Sequence, residues 1–407
     1  MASRADAPEA ARASFFGNAQ KVLRQNIREY GMYIALFIIM AIFTVTTDGI
    51  FISPRNLSNL LNQTGYIAVL AVGMTLVIVI RHIDLSVGFL AGFLGAIAAI
   101  ALVSWNLPVI VVIPLVLVLG TIAGLITAFP VAYWGIPSFV ASLAGWLIYR
   151  GAILLVTVST GTIIITNSAF NAIGNGYIPD ILPDSGILPG LHKITLLLGL
   201  LAVAFFVMSE IRSRRTKQAY DFEVLPMDIF ILKLAFVAVL IVGSAWVLAQ
   251  YNGLSWTVVI MLLVVGVYHF VTTQTVLGRH IYAIGGNPEA AELSGISVKK
   301  LIYVVFGSMG MLSGLSGILF ASRLQAATTT AGTLFELDAI AAAYVGGVSA
   351  AGGVGKVMGS IIGALVMTSL TSGMNLMQID ISLQYIVRGA VLAAAVIFDV
   401  TTRSRSK

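Results

Sequence analysis

Six polar side chains lie within or at the ends of segments that are otherwise apolar. They are Asp84, Ser86, Arg150, Glu336, Asp338 and Arg388. Ionisable groups at membrane depth are costly, and those found there commonly mark a path for a substrate or an ion. The alternative is structural, because an arginine can bind backbone carbonyls or extend toward the membrane surface, and a carboxylate can begin a helix. Both interpretations of these candidate pathway residues stay open.

The segment RHIDLSVG, residues 81–88, interrupts an apolar run that extends from Tyr66 to Ser104. In one interpretation it is a tight hairpin near the cytoplasmic face, in which Arg81 ends one helix and Asp84 or Ser86 caps the next. In the other interpretation, the helix that follows the segment is broken and Asp84 is drawn inward toward a pathway, as in many transporters. We favour the hairpin, which accounts for the charges without a ligand.

The composition indicates a polytopic membrane protein. Of the 407 residues, 58% are hydrophobic and only 10% are charged, whereas about a quarter of the residues of a typical soluble protein are charged. Apolar stretches of about 20 residues, long enough to cross a bilayer as helices, recur along the chain. We therefore predict an all-α fold with about 10–12 transmembrane helices. The formal charge of +6 fits basic cytoplasmic loops better than a nucleic-acid partner.

The apolar stretches predict twelve helices, of which the tenth is short enough to be a half-helix. Their ranges are near 30–48, 64–80, 86–104, 107–128, 137–157, 193–209, 228–250, 255–275, 301–322, 336–349, 356–374 and 381–399. With the N-terminus inside, seventeen Lys and Arg fall in cytoplasmic segments and only three in external ones, as the positive-inside rule requires. We expect both termini to be cytoplasmic and the first helix to be a retained anchor, not a signal peptide.

An internal repeat is visible in two pairs of short segments. VLGTIAG (118–124) is similar to VMGSIIG (357–363), and IYRGAIL (148–154) is similar to IVRGAVL (386–392). The two matches share nearly one offset, 239 and 238 residues. The first unit begins outside and the second inside, so we predict an inverted repeat, which transporters use to build a pathway between two halves. Glycine-rich membrane helices can also resemble one another by chance, because small residues favour close packing.

The segment GRHIYAIGGNPEAAELSGISVKK, residues 278–300, predicts a two-turn helix outside the membrane. Asn287 can cap the helix, Pro288 suits its first position and Glu289 meets the positive end of its dipole. Gly295 can end it with a positive φ. Such a helix can serve as a contact for a soluble partner, or it can be an ordinary capped surface helix.

Two further patterns are rejected as sites. GGVGK, residues 352–356, fails as a phosphate loop because Ala350 stands where the first glycine is needed and Val357 where Ser or Thr is needed. The four histidines, His82, His192, His269 and His280, have no metal-ligand spacing. We therefore predict no metal site, no cofactor and no enzyme chemistry.

Four ordered motifs resemble the permease subunits of bacterial ABC importers for monosaccharides of the ribose, xylose and galactose type. The motifs are IDLSVG (83–88), GIPSFVASLAGWLIYRG (135–151), GRHIYAIGGNPEAAELSGI (278–296) and ELDAIAAAYVGGVSAAGGVGKVMGSIIGAL (336–365). The resemblance implies an inner-membrane protein with a second permease copy, surrounded by lipid. It also implies an ATPase with two nucleotide sites and a periplasmic sugar-binding protein as partners, and a pathway that contacts sugar hydroxyls.

The resemblance also implies that the capped helix docks on the ATPase and couples its motion to transport. The coupling residues are Gly285, Gly286, Asn287, Pro288, Glu289, Ala290, Ala291, Glu292, Leu293 and Gly295. The alternatives are an ABC permease for nucleosides or branched-chain amino acids and, further off, a secondary transporter driven by an ion gradient.

The predicted organisation is a cytoplasmic tail at 1–29, a permease domain at 30–400 and a second cytoplasmic tail at 401–407. The permease domain holds repeat units at about 64–157 and 301–399. Between them lie an enlarged external loop at 158–192, an additional helix pair within 210–275 and the coupling loop at 278–300. The enlarged loop and additional pair depart from the shorter ribose type and resemble the xylose or multiple-monosaccharide subclass.

Overall fold

The computed structural model describes residues 27–158, 161–181 and 188–404. The predictions for the remaining parts of the two tails and of the external loop lie outside the described residues. The described helices are α1 (Ile27–Thr46), α2 (Pro54–Val79), α3 (Val87–Val103), α4 (Val109–Trp134), α5 (Ser138–Thr157), α6 (Ser168–Asn175), α7 (Lys193–Ala219), α8 (Met227–Ala249), α9 (Trp256–Gln274), α10 (Val276–Gly286), α11 (Pro288–Leu293), α12 (Val298–Leu324), α13 (Phe335–Val345), α14 (Val357–Leu376) and α15 (Ile381–Ser404).

The all-α prediction is confirmed, and each of the twelve predicted helices has a counterpart. Strands β1 (Ile163–Ile164) and β2 (Ala326–Ala327) form the sheet of the described chain, a short antiparallel pair. Nine helices of the described part are long and apolar enough to cross a membrane, namely α2, α4, α5, α7, α8, α9, α12, α14 and α15. The apolar helices at Gly31–Thr46 and Val87–Val103 are shorter, and α13 has 11 residues, in agreement with its prediction as a possible half-helix.

The chain divides into two compact units. Of the described residues, the first comprises 27–31, 53–58, 178–181 and 188–254, and the second holds the rest. In the described part of the first unit, α7 and α8 form a hairpin that a salt bridge between Lys233 and Glu210 joins at 2.8 Å. These two helices correspond to the predicted helices near 193–209 and 228–250.

In the second unit, α4 and α12 pack so closely that their backbones touch. A Cβ at Gly120 would clash with the carbonyl oxygen of Gly310, and one at Gly124 would clash with that of Phe306. Small residues permit this approach between membrane helices, where dispersion and packing replace the hydrophobic effect as the source of stability. The contacts run in opposite directions along the two helices, so α4 and α12 are antiparallel.

Helices α2 and α14 form a second antiparallel pair, which hydroxyl groups join. The hydroxyls of Thr64 and Thr368 lie 2.6 Å apart, and those of Thr75 and Ser360 also form a hydrogen bond. In the predicted repeat α2 corresponds to α12 and α4 to α14. Each repeat unit therefore contributes one helix to each of the two pairs, which is the pairing that an inverted repeat predicts.

Within the external loop, helix α6 packs against the end of α12. The hydroxyl of Ser322 donates to the carbonyl of Phe170 at 2.7 Å and accepts from the N–H of Gly174 at 2.6 Å. Arg323 donates to Asn175 at 3.0 Å. Helix α6, which the sequence did not predict, is thereby fixed through its backbone as well as its side chains.

Candidate functional site

The connection between α2 and α3 is a non-helical segment, not a tight turn. Residues 82–85 have no regular secondary structure, and Arg81 has a φ of +66°. Asp84 is 2% exposed, and its carboxylate accepts the N–H of Ser86 at 2.9 Å and the hydroxyl of Ser86 at 2.6 Å. These bonds form a turn before the helix, because Ser86 is the N-cap residue of α3 and makes no side-chain capping hydrogen bond. The cap by Asp84 or Ser86 that the favoured hairpin predicts is therefore absent, and the hairpin does not account for the burial of Asp84. An inward Asp84 is what the broken-helix interpretation predicts.

Serines of α5 satisfy the backbone of this segment. The N–H of Ile83 donates to the hydroxyl of Ser138 at 3.1 Å, and the hydroxyl of Ser142 donates to the carbonyl of Ile83 at 3.4 Å. Non-helical backbone at membrane depth is tolerated only where protein or a water-filled cavity replaces lipid. Residues 81–84 are called the RHID segment below. The GIPSFVASLAG motif (135–145), which contains both serines, holds this segment among the helices.

The first turns of α3 and α13 meet deep within the second unit. The ring of Phe335, the first residue of α13, lies 5.1 Å from the ring of Tyr66. Tyr66 lies thirteen residues before Val79, the last residue of α2, which is about 20 Å along a helix. A Cβ at Gly332 would clash with the carbonyl oxygen of Gly88. Two short helices therefore begin near one point, halfway along α2.

Glu336 lies where these two helix N-termini meet. It is 4% exposed, and its Oε1 accepts the indole N–H of Trp146 at 3.0 Å. Its Oε2 is buried against Gly88 and has no hydrogen-bond partner among the described residues. Two helix N-termini place positive partial charge around this carboxylate. Sequence reasoning missed Trp146, because a tryptophan inside an apolar helix carries no spacing signal for a polar contact.

The two repeat-related arginines have different surroundings. Arg388 forms a salt bridge with Asp338, and the side chains are 17% and 14% exposed. Arg150 donates to the carbonyl of Thr329 at 3.2 Å, and its guanidinium lies 5.0 Å from the centre of the Phe89 ring. The structure thus brings Asp84, Ser86 and Glu336 to the start of α3, and it places the other three predicted residues on neighbouring helices.

A cavity of about 430 Å³ opens beside the RHID segment. It is lined by Arg81, His82, Ile83, Val131, Gly135, Ile136, Pro137, Ser138 and Phe139. The turn between α4 and α5 forms one wall and the connection between α2 and α3 forms the other. Asp84 lies one residue beyond this cavity along the chain. No group of three His, Asp or Glu with metal-binding geometry occurs in the described ranges.

The predicted coupling loop contains two helices instead of one. Thr275 caps α10, and Asn287 caps α11 through a bond of 3.1 Å from the N–H of Ala290. Pro288 is the first residue of α11, and Gly295 has a φ of +85°. The local geometry of α11 therefore agrees with the cap, start and end that the sequence predicts.

One face of α11 is anchored and the other is free to meet a partner. Ala291 is buried, whereas Leu293 is 91% exposed. Glu289, Ala290 and Glu292 are exposed as well. An apolar side chain this exposed, between two exposed carboxylates, is typical of a contact surface, although a single exposed leucine also occurs on ordinary surfaces.

Comparison with known proteins defines the class as a transport permease. The xylose transport system permease protein XylH of Haemophilus influenzae is 40% identical over 385 residues, which cover 95% of this chain and 99% of the relative. XylH of Escherichia coli is 41% identical over 94% of each chain. The ribose import permease protein RbsC of Haemophilus influenzae is 35% identical over 91% of this chain and 93% of its own.

The family described as branched-chain amino acid transport system, permease component, matches residues 56–396. The chain belongs to this family of permeases. No solved structure matches it. The prediction of a transport permease among the relatives of sugar permeases is therefore confirmed, and the chain is a multi-pass membrane transport subunit.

Proposed function

We propose that this chain is the permease subunit of an ATP-driven importer that carries xylose, or several monosaccharides, across the bacterial inner membrane. The observation that carries the proposal is the 40% identity to a xylose permease across 95% of the chain. Its partners are an ATPase with two nucleotide sites, a periplasmic sugar-binding protein and a second copy of the permease. Both termini lie in the cytoplasm, which the distribution of Lys and Arg supports.

Helix α11 is the contact with the ATPase in this proposal. Its exposed Glu289, Glu292 and Leu293 offer two charges and one apolar side chain to a cleft in the partner. The cap at Asn287 and the short length of α11 make it a rigid body, so a force applied to Leu293 moves the whole helix. The buried Ala291 lies on the face of α11 that contacts the rest of the permease, so this face transmits the motion.

The pathway passes the start of α3. Asp84, Ser86 and Glu336 supply carboxylate and hydroxyl groups there, which can exchange hydrogen bonds with sugar hydroxyls as the openings alternate. Asp338, Arg388 and Arg150 lie on the helices around them. Apolar residues stay exposed along α5 and α15, among them Leu155 and Ile386, which suits contact with lipid and with the second permease copy.

Substitution of both carboxylates of α11 tests the coupling role. With Glu289→Lys and Glu292→Lys together, we expect sugar uptake to fall about ten-fold or more, because reversed charges at an interface oppose docking. Sugar binding to the soluble receptor should be unchanged. The measurement is ATP-dependent uptake into proteoliposomes that contain the permease, its ATPase and its binding protein. The control is Glu223→Lys, an exposed carboxylate between α7 and α8.

The coupling assignment is wrong if the double variant transports like the unmodified protein. The same proteoliposomes should be offered xylose, ribose, a nucleoside and leucine. Uptake of leucine or the nucleoside in place of the sugars would favour the other permease class. Uptake that an ionophore abolishes while ATP does not drive it would favour a secondary transporter.

A further inference from the structure

The glycine segment at 352–356, which fails as a phosphate loop, lies against the RHID segment and the end of α10. A Cβ at Gly352 would clash with the side chain of Arg81, and one at Gly353 would lie 2.8 Å from the backbone nitrogen of Gly286. The N–H of Gly353 donates to the carbonyl of Val79 at 2.8 Å. Three separate parts of the chain therefore meet here at close backbone distance, with the side chain of Arg81 between them.

Arg81 joins two of these parts directly. Its Nε donates to the carbonyl of Gly285 at 2.7 Å, and its Nη2 donates to the carbonyl of Gly286. These are the last two residues of α10, whose carbonyls have no partner within that helix. A planar guanidinium can bind two adjacent carbonyls at once and also complements the negative end of the helix dipole. The backbone of Arg81 is left-handed, with a φ of +66°.

The end of α10 has no freedom to slide past its neighbours. A Cβ at Gly285 would clash with the carbonyl oxygen of Val79, so the two backbones are in contact. Tyr282, one turn earlier, donates its hydroxyl to the carbonyl of Gly355 at 2.6 Å. A displacement of α10 must therefore move either Arg81 and the end of α2 or the glycine segment.

The contact of Arg81 with the end of α10 and the glycine segment lies between the proposed coupling helix α11 and the proposed pathway at the start of α3. Gly286 is followed by Asn287, which caps α11, and Arg81 precedes the buried Asp84 by three residues. We propose that Arg81, clamped between Gly285–Gly286 and Gly352–Gly353, is the positioning residue through which motion of α11 reaches the α2–α3 connection. This inference rests on the proposed function. It also gives the GGVGK segment a role, as the backbone surface against which Arg81 and the end of α10 pack.

Arg81→Gln tests the clamp by removing the charge while keeping a polar side chain. In the complete reconstituted importer, we expect ATPase activity stimulated by the loaded binding protein to persist, while the number of sugars imported per ATP falls about ten-fold, as loss of charge-assisted bonds implies. Arg81→Lys should give an intermediate ratio, because an ammonium is a point charge without the planar fork. Arg215→Gln, an exposed arginine on α7, is the matched control.

Substitution of two glycines tests the backbone contact between the glycine segment and the end of α10 independently of charge. Gly353→Ala and Gly347→Ala both place a side chain at positive φ, +71° and +87°, but only the first meets backbone, whereas open space surrounds the second. Both variants therefore strain the backbone, but only Gly353→Ala disturbs the contact with Gly286. We expect Gly353→Ala to lower the number of sugars per ATP by more than Gly347→Ala.

An unchanged number of sugars imported per ATP in Arg81→Gln would overturn the inference. ATPase activity and uptake that fall in parallel would also overturn it, because that result indicates lost assembly instead of lost coupling. Equal effects of the two glycine variants would overturn the role of the glycine segment. If the unmodified importer shows no ATP-driven uptake at all, it is the proposed function that fails, and the two failures are thus distinguishable.

Discussion

Arg150 and Arg388 occupy equivalent positions in the two halves of the repeat, yet their environments differ in kind. Arg388 has a carboxylate partner, Asp338, in a pair that is mostly shielded from solvent. Arg150 has a neutral carbonyl at 3.2 Å and the face of Phe89. The repeat has therefore kept the residue and its place on the helix but not its partner. We infer that sequence symmetry in this chain indicates architecture more reliably than it indicates chemistry.

The largest effect should come from breaking the ion pair. Arg388→Met leaves Asp338, whose side chain is 14% exposed, without its counter-charge. Removal of one partner costs about 3–5 kcal/mol in a fully buried pair, which is the upper bound for this one. We expect thermal unfolding in detergent to occur at a clearly lower temperature. Adding Asp338→Leu to the same protein should restore much of the loss, because the uncompensated charge is then gone. A double variant that is less stable than the single one would show that the pair is not the cause.

The next effect concerns the carboxylate that no arginine neutralises. Trp146→Phe keeps most of the packing against Phe89, whose ring lies 4.8 Å from that of Trp146, but removes the hydrogen bond to Glu336. Leaving a buried polar group unsatisfied costs about 1–3 kcal/mol, and more for a charged one. Glu336→Gln in the same protein should relieve part of this cost. If Trp146→Phe unfolds at the unmodified temperature, the indole bond does not stabilise Glu336.

The smallest effect should be at Arg150. Arg150→Met removes one hydrogen bond to a neutral carbonyl and one cation–π contact, each of about 0.5–1.5 kcal/mol, and it leaves no buried charge behind. The unfolding temperature should therefore fall less than in Arg388→Met. Equal shifts in the two single variants would mean that the difference in partners has no energetic consequence.

The twelve apolar helices could be predicted from sequence because the length of each apolar stretch indicates them. All twelve have counterparts, and the cap of α11 follows from Asn287 and Pro288. Position was harder to predict. Asp84 and Glu336 approach the same turn of α3, but this depends on the irregular segment before α3 and the turns before α13, whose depth no local pattern encodes. Trp146 was missed because its role arises only when α5 meets α13. Helix α6 was missed because a glycine- and asparagine-rich loop predicts no regular structure.

The interpretation of the RHID segment changed for the same reason. Its charges match the helix dipoles as a hairpin would require, so sequence alone could not separate the two interpretations. In the structure, Asp84 is the buried, inner end of the segment. Arg81, which binds Gly285 and Gly286, is its outer end. The inner end faces the proposed pathway, and the outer end holds the coupling loop.

The central claim is that this chain imports a monosaccharide at the expense of ATP. The most direct test is accumulation of labelled xylose in proteoliposomes that hold the permease with its ATPase, with the loaded binding protein outside and ATP inside. We predict accumulation that requires both the ATP and the binding protein and that is insensitive to an ionophore. Xylose uptake at the same rate without ATP, or uptake that the ionophore abolishes, would contradict the account.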